Sequence, residues 1–410
     1  LTPLPPAQRI ATLDVIRGVA LCGILVMNMP GFASSFFAEA DGSHLWPGAV
    51  DQFVEGLRNM LFSGKFNSMF SALFGIGFTL QFERMQRADP EHAELLYLRR
   101  LIVLGVFGLV HAMVFWTGDI LHMYAAMGLL LLFALRRVSD RAIVWLIALC
   151  LSYPIVSGYL RLQLMSPETV AGLVAKAKSL ELSNNAAYGG GSFLDAAREH
   201  TREFVSFFDS RWALWSEFSA WVQIGMTMLL GLLAGRRRWP QRIAELMPRI
   251  RRLQWWSLVL GIGCGALFTL IFETHRVPGP SPIKMLGNFA YWVSRLALMV
   301  FYVLTLVRLM QVPHWARRLA PFAAAGRMPL TNYLMQTALC TTLFYGWGFG
   351  LWNRVGPALG MVLALGIFFG IQVPWSIWWL ARHEQGPLEW LWSRLTYGRS
   401  VRARSVPTVP

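Results

Sequence analysis

Hydropathy constrains the fold of this chain more than any other feature of its sequence. Apolar stretches of near-bilayer length follow one another through almost all of its 410 residues. A helix needs roughly 20 apolar residues to cross about 30 Å of hydrocarbon. The predicted crossings are residues 16–37, 53–81, 98–116, 119–135, 142–164, 213–235, 253–273, 286–308, 329–350 and 356–380. The sequence therefore predicts an all-α polytopic membrane protein, a bundle of about ten transmembrane helices.

Lysine and arginine collect on alternate connections between these stretches. One set of segments holds 24 of them: 1–17, 82–100, 136–141, 236–252, 309–328 and 381–410. The other set holds 8: 39–52, 117–118, 165–212, 274–285 and 351–355. Cytoplasmic loops carry the excess of positive charge in membrane proteins. We therefore expect both termini in the cytoplasm.

The net charge of +15 does not by itself indicate a nucleic-acid partner. Its densest cluster, seven arginines in 236–252, lies between two predicted crossings. Anionic lipid headgroups attract basic segments next to a membrane. We therefore expect membrane lipid, and no nucleic acid, as the partner of this charge.

A long connection divides the chain into two five-helix halves, 1–164 and 213–380, followed by a cytoplasmic tail, 381–410. The connection, 165–212, interleaves charged and apolar residues at helical spacing. This pattern is typical of an amphipathic helix on a membrane surface or over a cavity mouth. The connection could be either a lid or a plain spacer between the halves, and the sequence does not decide between these two interpretations.

The densest polar site is a hairpin between the third and fourth crossings. His111 precedes a Thr117-Gly118 turn, and Asp119 and His122 follow it, three residues apart on one helix face. A carboxylate can orient an imidazole to act as a general base near neutral pH. An N-cap beside a core histidine, and a metal site, are the alternatives. The hairpin lacks a zinc-like spacing, so no metal is expected.

Two cations fall inside predicted crossings, Lys65 in the second and Arg295 in the eighth. Charged side chains at that depth are costly and often functional, although structural pairing explains them equally well. Arg17 and Arg327 face the cytoplasm, where a guanidinium can bind phosphate. Ordinary charge-based anchoring in the membrane explains the same arginines.

The chain resembles the membrane family called domain of unknown function 418. Its opening, with Asp14-x-x-Arg17-Gly18, is similar to the opening of that family. Further similar segments, in the family's order, are 65–77, 108–121, 326–333 and 386–397. Together they cover nearly the whole chain.

The resemblance extends to transmembrane acyltransferases, among them heparan-alpha-glucosaminide N-acetyltransferase. That enzyme transfers acetyl from cytoplasmic acetyl-coenzyme A to a glucosamine on the opposite side of its membrane, using a histidine before its second crossing. In this chain His44 lies before the second crossing, and His111 is the alternative from the neighbouring hairpin.

The function expected is therefore acyl transfer in a bacterial inner membrane. The expected donor is acetyl-coenzyme A or another acyl-coenzyme A, the expected acceptor is an extracytoplasmic cell-envelope sugar or lipid, and a homodimer is the candidate assembly. The expected catalytic residues are His111, Asp119, His122 and His44. The expected donor-binding residues are Arg17, Arg327, Asn332 and Lys65. The alternative is a transporter or exporter of a small amphiphilic or lipid-like solute.

Overall fold

A computed structural model describes residues 10–398 of the chain. Residues 1–9 of the N-terminal half and residues 399–410 of the expected cytoplasmic tail lie outside the described residues. Within residues 10–398 the structure is helical throughout, without a strand.

Sixteen α-helices make up the described part of the chain. They are α1 (Ala11–Ala33), α2 (Ala49–Leu61), α3 (Lys65–Ala88), α4 (Ala93–Val110), α5 (Leu121–Leu130), α6 (Asp140–Leu164), α7 (Pro167–Gly190), α8 (Phe193–Ser206), α9 (Arg211–Arg236), α10 (Ile243–Thr274), α11 (Pro282–Leu309), α12 (Pro313–Gly326), α13 (Pro329–Phe344), α14 (Pro357–Ile367), α15 (Val373–Leu380) and α16 (Pro387–Tyr397). Short π-helical stretches extend α4 through His111–Phe115 and α5 through Leu131–Leu135, and a third, Phe368–Gln372, joins α14 to α15.

Seven helices in residues 10–398 are long and apolar enough to cross a membrane. They are Ala11–Ala33, Ala93–Phe115, Asp140–Leu164, Arg211–Arg236, Ile243–Thr274, Pro282–Leu309 and Pro357–Leu380. These helices confirm the helical, multi-pass membrane protein that the sequence predicts. Three further predicted crossings are also helices, but α3 is more polar, and Leu121–Leu135 and α13 are shorter. The number ten and the cytoplasmic side of the termini stay predictions.

Helix α1 is the most enclosed of the seven. Its apolar window is 61% buried, against 17% for α6 and 22% for α10. An apolar helix with little protein around it faces lipid, and one that is apolar and covered on most sides lies in the core. The bundle is therefore built around α1, which packs against α3, α12, α13 and α14.

Glycines allow the central helices to touch backbone to backbone. A Cβ on Gly75 of α3 would lie 2.2 Å from the carbonyl oxygen of Met228 on α9. A Cβ on Gly231 of α9 would lie 2.0 Å from the carbonyl oxygen of Ala72 on α3. Small residues at such crossings are a common means of helix packing in membranes.

The predicted crossing at 53–81 is not one helix. It is divided into α2 and α3 at Gly64, whose φ of +73° is a left-handed conformation that favours glycine. A Cβ at this position would also lie 2.5 Å from the Tyr291 hydroxyl and 2.9 Å from Cδ of Arg295. The break therefore brings the start of α3 close to two polar side chains of α11.

The long connection contains two helices, α7 and α8, each begun by a serine cap. Helix α8 starts with a capping box between Ser192 and Asp195. It lies on the end of α4, where the Thr201 hydroxyl donates to the carbonyl of Met113 at 2.8 Å. The buried face of α8 is mostly polar and includes Glu199, His200, Glu203 and Ser206. This helix thus turns its polar face towards the bundle.

Candidate functional site

The hairpin between α4 and α5 forms the centre of the site. A Cβ on Gly108 would lie 2.3 Å from the backbone nitrogen of His122, so the two helices are in direct contact. Asp119 lies two residues before α5, and its side chain accepts from that same nitrogen at 3.0 Å. The close approach and this hydrogen bond together bring His111 and His122 to one carboxylate.

Asp119 is shared between two imidazoles. Its Oδ1 lies 2.8 Å from Nδ1 of His111, and its Oδ2 lies 2.8 Å from Nδ1 of His122. The carboxylate is fully buried. An ionised carboxylate only accepts hydrogen bonds, so each Nδ1 donates, which leaves Nε2 as the basic nitrogen of each neutral ring.

The two imidazoles differ in what their Nε2 atoms meet. Nε2 of His111 lies 2.8 Å from the Thr337 hydroxyl, and His111 is buried. Nε2 of His122 has no hydrogen-bond partner among residues 10–398, and the His122 ring lines a cavity. His122 therefore has the basic nitrogen that a ligand can reach, whereas His111 is bonded on both sides.

The cavity beside His122 has a volume of about 230 Å³. Its polar lining is Asn28, Asn67, Thr117, Asp119, His122, Glu217, Gln223, Arg295 and Tyr333. Phe204 and Phe207, in and just after α8, form part of its wall. Whole-ligand pockets are roughly 300–1,000 Å³, so this cavity suits a small group or one end of a larger molecule.

Two buried cations lie on or near this cavity. Arg295 lines it and donates through Nε to the Ser68 hydroxyl. Lys65 is buried and donates from Nζ to the backbone carbonyl of Asn59 at 3.0 Å, near the ring of Tyr291. Within residues 10–398 neither cation has a carboxylate within ion-pair distance. The part of the site beside Arg295 and Lys65 is therefore electropositive.

The side chains of both predicted donor-binding arginines bind groups of the protein itself. Arg17 pairs with Asp14 at 2.7 Å, one helical turn earlier in α1. Arg327 donates from Nη2 to the carbonyl of Glu384 at 3.3 Å. Both remain partly exposed, which phosphate binding requires.

Asn332, the third predicted donor-binding residue, is fully buried and holds helices together. Its Nδ2 donates to the carbonyl of Ala325 and to the Ser376 hydroxyl, both at 3.0 Å. The backbone carbonyl of Asn332 accepts from Nε2 of Gln372 at 2.7 Å. These bonds join α12, α13 and α15 and leave the side chain turned inward.

Two segments that carry the family resemblance, 326–333 and 386–397, meet at Glu389. Its carboxylate accepts from the backbone nitrogens of Leu330, at 2.7 Å, and Thr331, at 3.1 Å. It also accepts from the Thr331 hydroxyl at 2.5 Å. Glu389 of α16 therefore caps the N-terminus of α13 from a distant part of the chain.

His44 belongs to a different group of side chains. Ligand atoms of Glu39, His44 and Glu55 lie within 4.8 Å of one another, a spacing that a metal ion accepts. Arg276 already pairs with Glu39 at 2.7 Å, and Arg58 pairs with Glu55 at 3.2 Å. His44 does not line the cavity of His122. The structure thus brings His111, Asp119 and His122 together and leaves His44 apart.

Sequence reasoning missed several polar residues of this region. Asn28 and Asn67 line the cavity, and both lie within apolar segments of the sequence. A polar side chain inside a membrane crossing is energetically costly, so these two asparagines were a usable signal in the sequence. His200 on α8 is almost fully buried, in a segment whose pattern predicted an amphipathic helix on the membrane surface or over a cavity mouth.

Whole-length similarity decides the family. The chain is 30% identical to "Uncharacterized protein YxaH" of Bacillus subtilis (strain 168), over 97% of this chain and 96% of the relative. It is 27% identical to "Uncharacterized protein YeiB" of Escherichia coli (strain K12), over 95% and 96%. The family described as "Protein of unknown function (DUF418)" matches residues 234–399. The chain belongs to the DUF418 family.

A third relative, "Uncharacterized 39.9 kDa protein in amylase 3'region" of Bacillus acidopullulyticus, is 28% identical over 97% of both chains. The matches span both halves, so the hairpin site lies within the aligned length of each relative. The DUF418 match itself covers α10 to α16, where Thr337 and Glu389 lie.

Proposed function

We propose that this DUF418 protein is a membrane-embedded acyltransferase. In this proposal it transfers an acyl group, acetyl first among them, from a coenzyme A thioester to a hydroxyl or amine. The observation that carries the proposal is His122, whose Nδ1 is bound to Asp119 while its Nε2 has no hydrogen-bond partner among residues 10–398 and its ring lines the cavity. An imidazole held in this way is suited to general base catalysis.

In the proposed reaction, Nε2 of His122 removes the proton of the acceptor as its oxygen or nitrogen attacks the thioester carbonyl. The C–S bond then breaks, and the proton passes from His122 to the departing thiolate. Asp119 stabilises the imidazolium that forms in between, and His111, tied to Thr337, keeps Asp119 in place. Arg295 is the cation that would stabilise the negative charge developing on the carbonyl oxygen.

The cavity volume limits what can enter. About 230 Å³ accommodates an acyl group and the reacting end of an acceptor, but not a coenzyme A molecule. The nucleotide of the donor would stay outside the bundle. Among the predicted donor-binding residues, the partly exposed Arg17 and Arg327 suit that role. Lys65 and Asn332 are buried and would act by shaping the bundle.

We further propose that the donor enters from the cytoplasm and that the acceptor is an extracytoplasmic sugar or lipid in a bacterial inner membrane. The alternation of arginine-rich and arginine-poor connections supports this division. The family relatives from Bacillus subtilis and Escherichia coli are bacterial proteins.

The test uses full-length protein purified in detergent, with radiolabelled acetyl-coenzyme A and an extract of cell-envelope lipids and sugars. Free thiol and labelled acceptor are measured for the wild type, for His122→Gln and for His314→Gln, an exposed histidine on α12. We expect transfer by the wild type and His314→Gln, and a loss of about 100-fold or more in His122→Gln. Absence of transfer in the wild type, or full activity in His122→Gln, would contradict the proposal.

Transport is the second candidate function, and one observation favours it. The cavity is lined by both a half-buried carboxyl group, Glu217, and a buried cation, Arg295, a combination common on ion and solute pathways through membranes. Transport predicts that a solute crosses liposomes containing the protein without chemical change. The same radiolabel assay distinguishes the two, because only acyl transfer consumes the thioester.

A further inference from the structure

A second buried polar cluster lies behind the hairpin, where α8 meets the bundle. It contains Thr117 of the hairpin, Tyr188 of α7, and His200 and Glu203 of α8. All four side chains are buried, and Glu203 is only 1% exposed. None of the predicted catalytic residues belongs to this cluster.

The four side chains form a closed ring of contacts. The Thr117 hydroxyl lies 3.0 Å from Nδ1 of His200 and 3.1 Å from Oε2 of Glu203. The Tyr188 hydroxyl lies 2.9 Å from each of the same two atoms. The second carboxyl oxygen of Glu203, Oε1, is buried and has no hydrogen-bond partner in the described structure.

This ring has more contacts than protons when Glu203 is ionised. Two hydroxyl groups supply one proton each, and Nδ1 of His200 supplies a third in only one of its two neutral tautomers, so the four contacts hold two or three protons. A proton on the Glu203 carboxyl adds a donor to the ring. It also removes the cost of a buried carboxylate, since no cation of residues 10–398 lies within ion-pair distance of Glu203.

Other titratable groups lie around the ring. They are Glu199 on α8, Tyr345 after α13, whose hydroxyl lies 3.3 Å from Nε2 of His200, and His111 of the hairpin. Arg202 lies 3.7 Å from Glu199 and is exposed. Burial, with the nearby charge of Glu199, raises the pKa of Glu203 to about 7. Burial lowers the pKa of His200 to about 3, so its imidazole stays neutral.

Thr117 connects this ring to the cavity of His122. It lines that cavity and also a smaller void shared with Tyr188, His200 and Glu203. The smaller void has no room for a water molecule. Because Glu203, His200 and Tyr188 do not line the larger cavity, Thr117 is the member of the ring that borders both spaces.

We propose that Glu203, with His200, Tyr188 and Thr117, forms a proton-binding site that exchanges its proton with the larger cavity through the Thr117 hydroxyl. The bound ligand is a proton, held on the carboxyl group of Glu203. This site does not depend on acyl transfer, since it follows from the ring itself and is measured without a substrate.

Infrared spectroscopy of the purified full chain tests whether the site exists. A protonated carboxyl group has its own C=O band, and the difference between the wild type and Glu203→Gln isolates that of Glu203. We expect this band well below pH 7, and its loss well above pH 7 with a midpoint near 7. A wild-type spectrum that matches Glu203→Gln throughout the titration would overturn the proposal.

Transfer into deuterated buffer tests the route, because deuteration shifts the same band with time. Thr117→Val removes the hydroxyl and keeps the shape, whereas Thr117→Ser keeps the hydroxyl. We expect slow deuteration in Thr117→Val and a wild-type rate in Thr117→Ser. A wild-type rate in Thr117→Val would overturn the route. Thr117→Ala takes its place if the valine variant does not fold.

Discussion

Gly326 of α12 lies directly against Gly18 of α1, without space for a side chain between them. A Cβ on Gly326 would lie 2.7 Å from the backbone nitrogen of Gly18 and 1.9 Å from the carbonyl oxygen of Asp14. A Cβ on Gly18 would lie 1.9 Å from the carbonyl oxygen of Phe322. The family-like opening and the segment at 326–333 therefore meet through their glycines, next to Arg17 and Arg327.

Gly326→Ala should destabilise the protein by about 3 kcal/mol or more, because the added methyl group meets backbone that cannot rotate away. Thermal unfolding in detergent measures the effect. Gly366→Ala is the matched control, since a Cβ at Gly366 meets nothing within 4 Å. Equal unfolding temperatures for the two variants would show that α1 and α12 are not packed in this way.

Asp119→Asn should fold but lose at least about 100-fold in any turnover that depends on His122. An asparagine keeps the size of the side chain and one acceptor oxygen, but it cannot accept from both imidazoles. One ring then turns or changes tautomer. Turnover of acetyl-coenzyme A together with the unfolding temperature checks this, and a stable variant with unchanged turnover would remove Asp119 from the mechanism.

The contributions of Glu203 and His200 to the free energy of unfolding should nearly cancel between about pH 4.5 and 6.5, because these two buried groups act in opposite directions. Glu203 has its pKa raised from 4.5 to about 7, so its contribution is present at low pH and is lost as the pH rises through about 7. His200 has its pKa lowered from 6.5 to about 3, so its contribution is present above 6.5 and is lost as the pH falls towards 3. Each slope is about 1.4 kcal/mol per pH unit where one proton is exchanged.

Single variants should separate the two slopes of that pH profile. Glu203→Gln removes the term of Glu203, so its unfolding temperature should rise relative to that of the wild type as the pH goes from 4.5 to 6.5. His200→Gln removes the term of His200, so its unfolding temperature should fall relative to that of the wild type over the same range. Parallel profiles for the two variants would contradict this account.

Glu389→Ala should destabilise the protein by about 2 kcal/mol, since it removes the acceptor for two backbone nitrogens and a hydroxyl at the start of α13. Glu389→Gln keeps one carbonyl oxygen and should lose less. Thermal unfolding compares the two, with Glu384→Ala as an exposed control. A loss in Glu384→Ala as large as that in Glu389→Ala would indicate a general charge effect instead of a cap.

Cysteine labelling in intact cells tests the membrane orientation. A membrane-impermeant maleimide should modify Glu168→Cys at the start of α7 from outside, and should modify Arg242→Cys only after the cells are opened. Both positions are exposed in the structure. The background is a chain without Cys22, Cys150, Cys264 and Cys340. The reverse labelling pattern would place the arginine-rich connections outside.

Long apolar runs made most helices predictable, because a run of about 20 such residues has few alternatives to a membrane helix. The break at Gly64 was not predictable, since an isolated glycine is tolerated within helices. It depends on Tyr291 and Arg295, more than 200 residues away in sequence. Contacts of this kind are set by tertiary packing.

The site was predictable where it is local. His111, Asp119 and His122 lie within one hairpin, so their spacing alone indicated that they meet. The preference for His122 over His111 was not accessible, because it depends on Thr337 from α13. His200 was missed for the opposite reason: its helix has a charged pattern that predicts solvent, while the structure turns that face to the protein.

Helix α8 links the shape of the cavity beside His122 to the shape of the smaller void beside Glu203. Glu203 is a wall of the smaller void, and the next residue, Phe204, is a wall of the cavity beside His122. Neighbouring residues on one rigid helix cannot move separately. A rotation or lift of α8 that widens one space would therefore reshape the other, so a change of charge on Glu203 that shifts α8 would also alter the wall of the cavity beside His122.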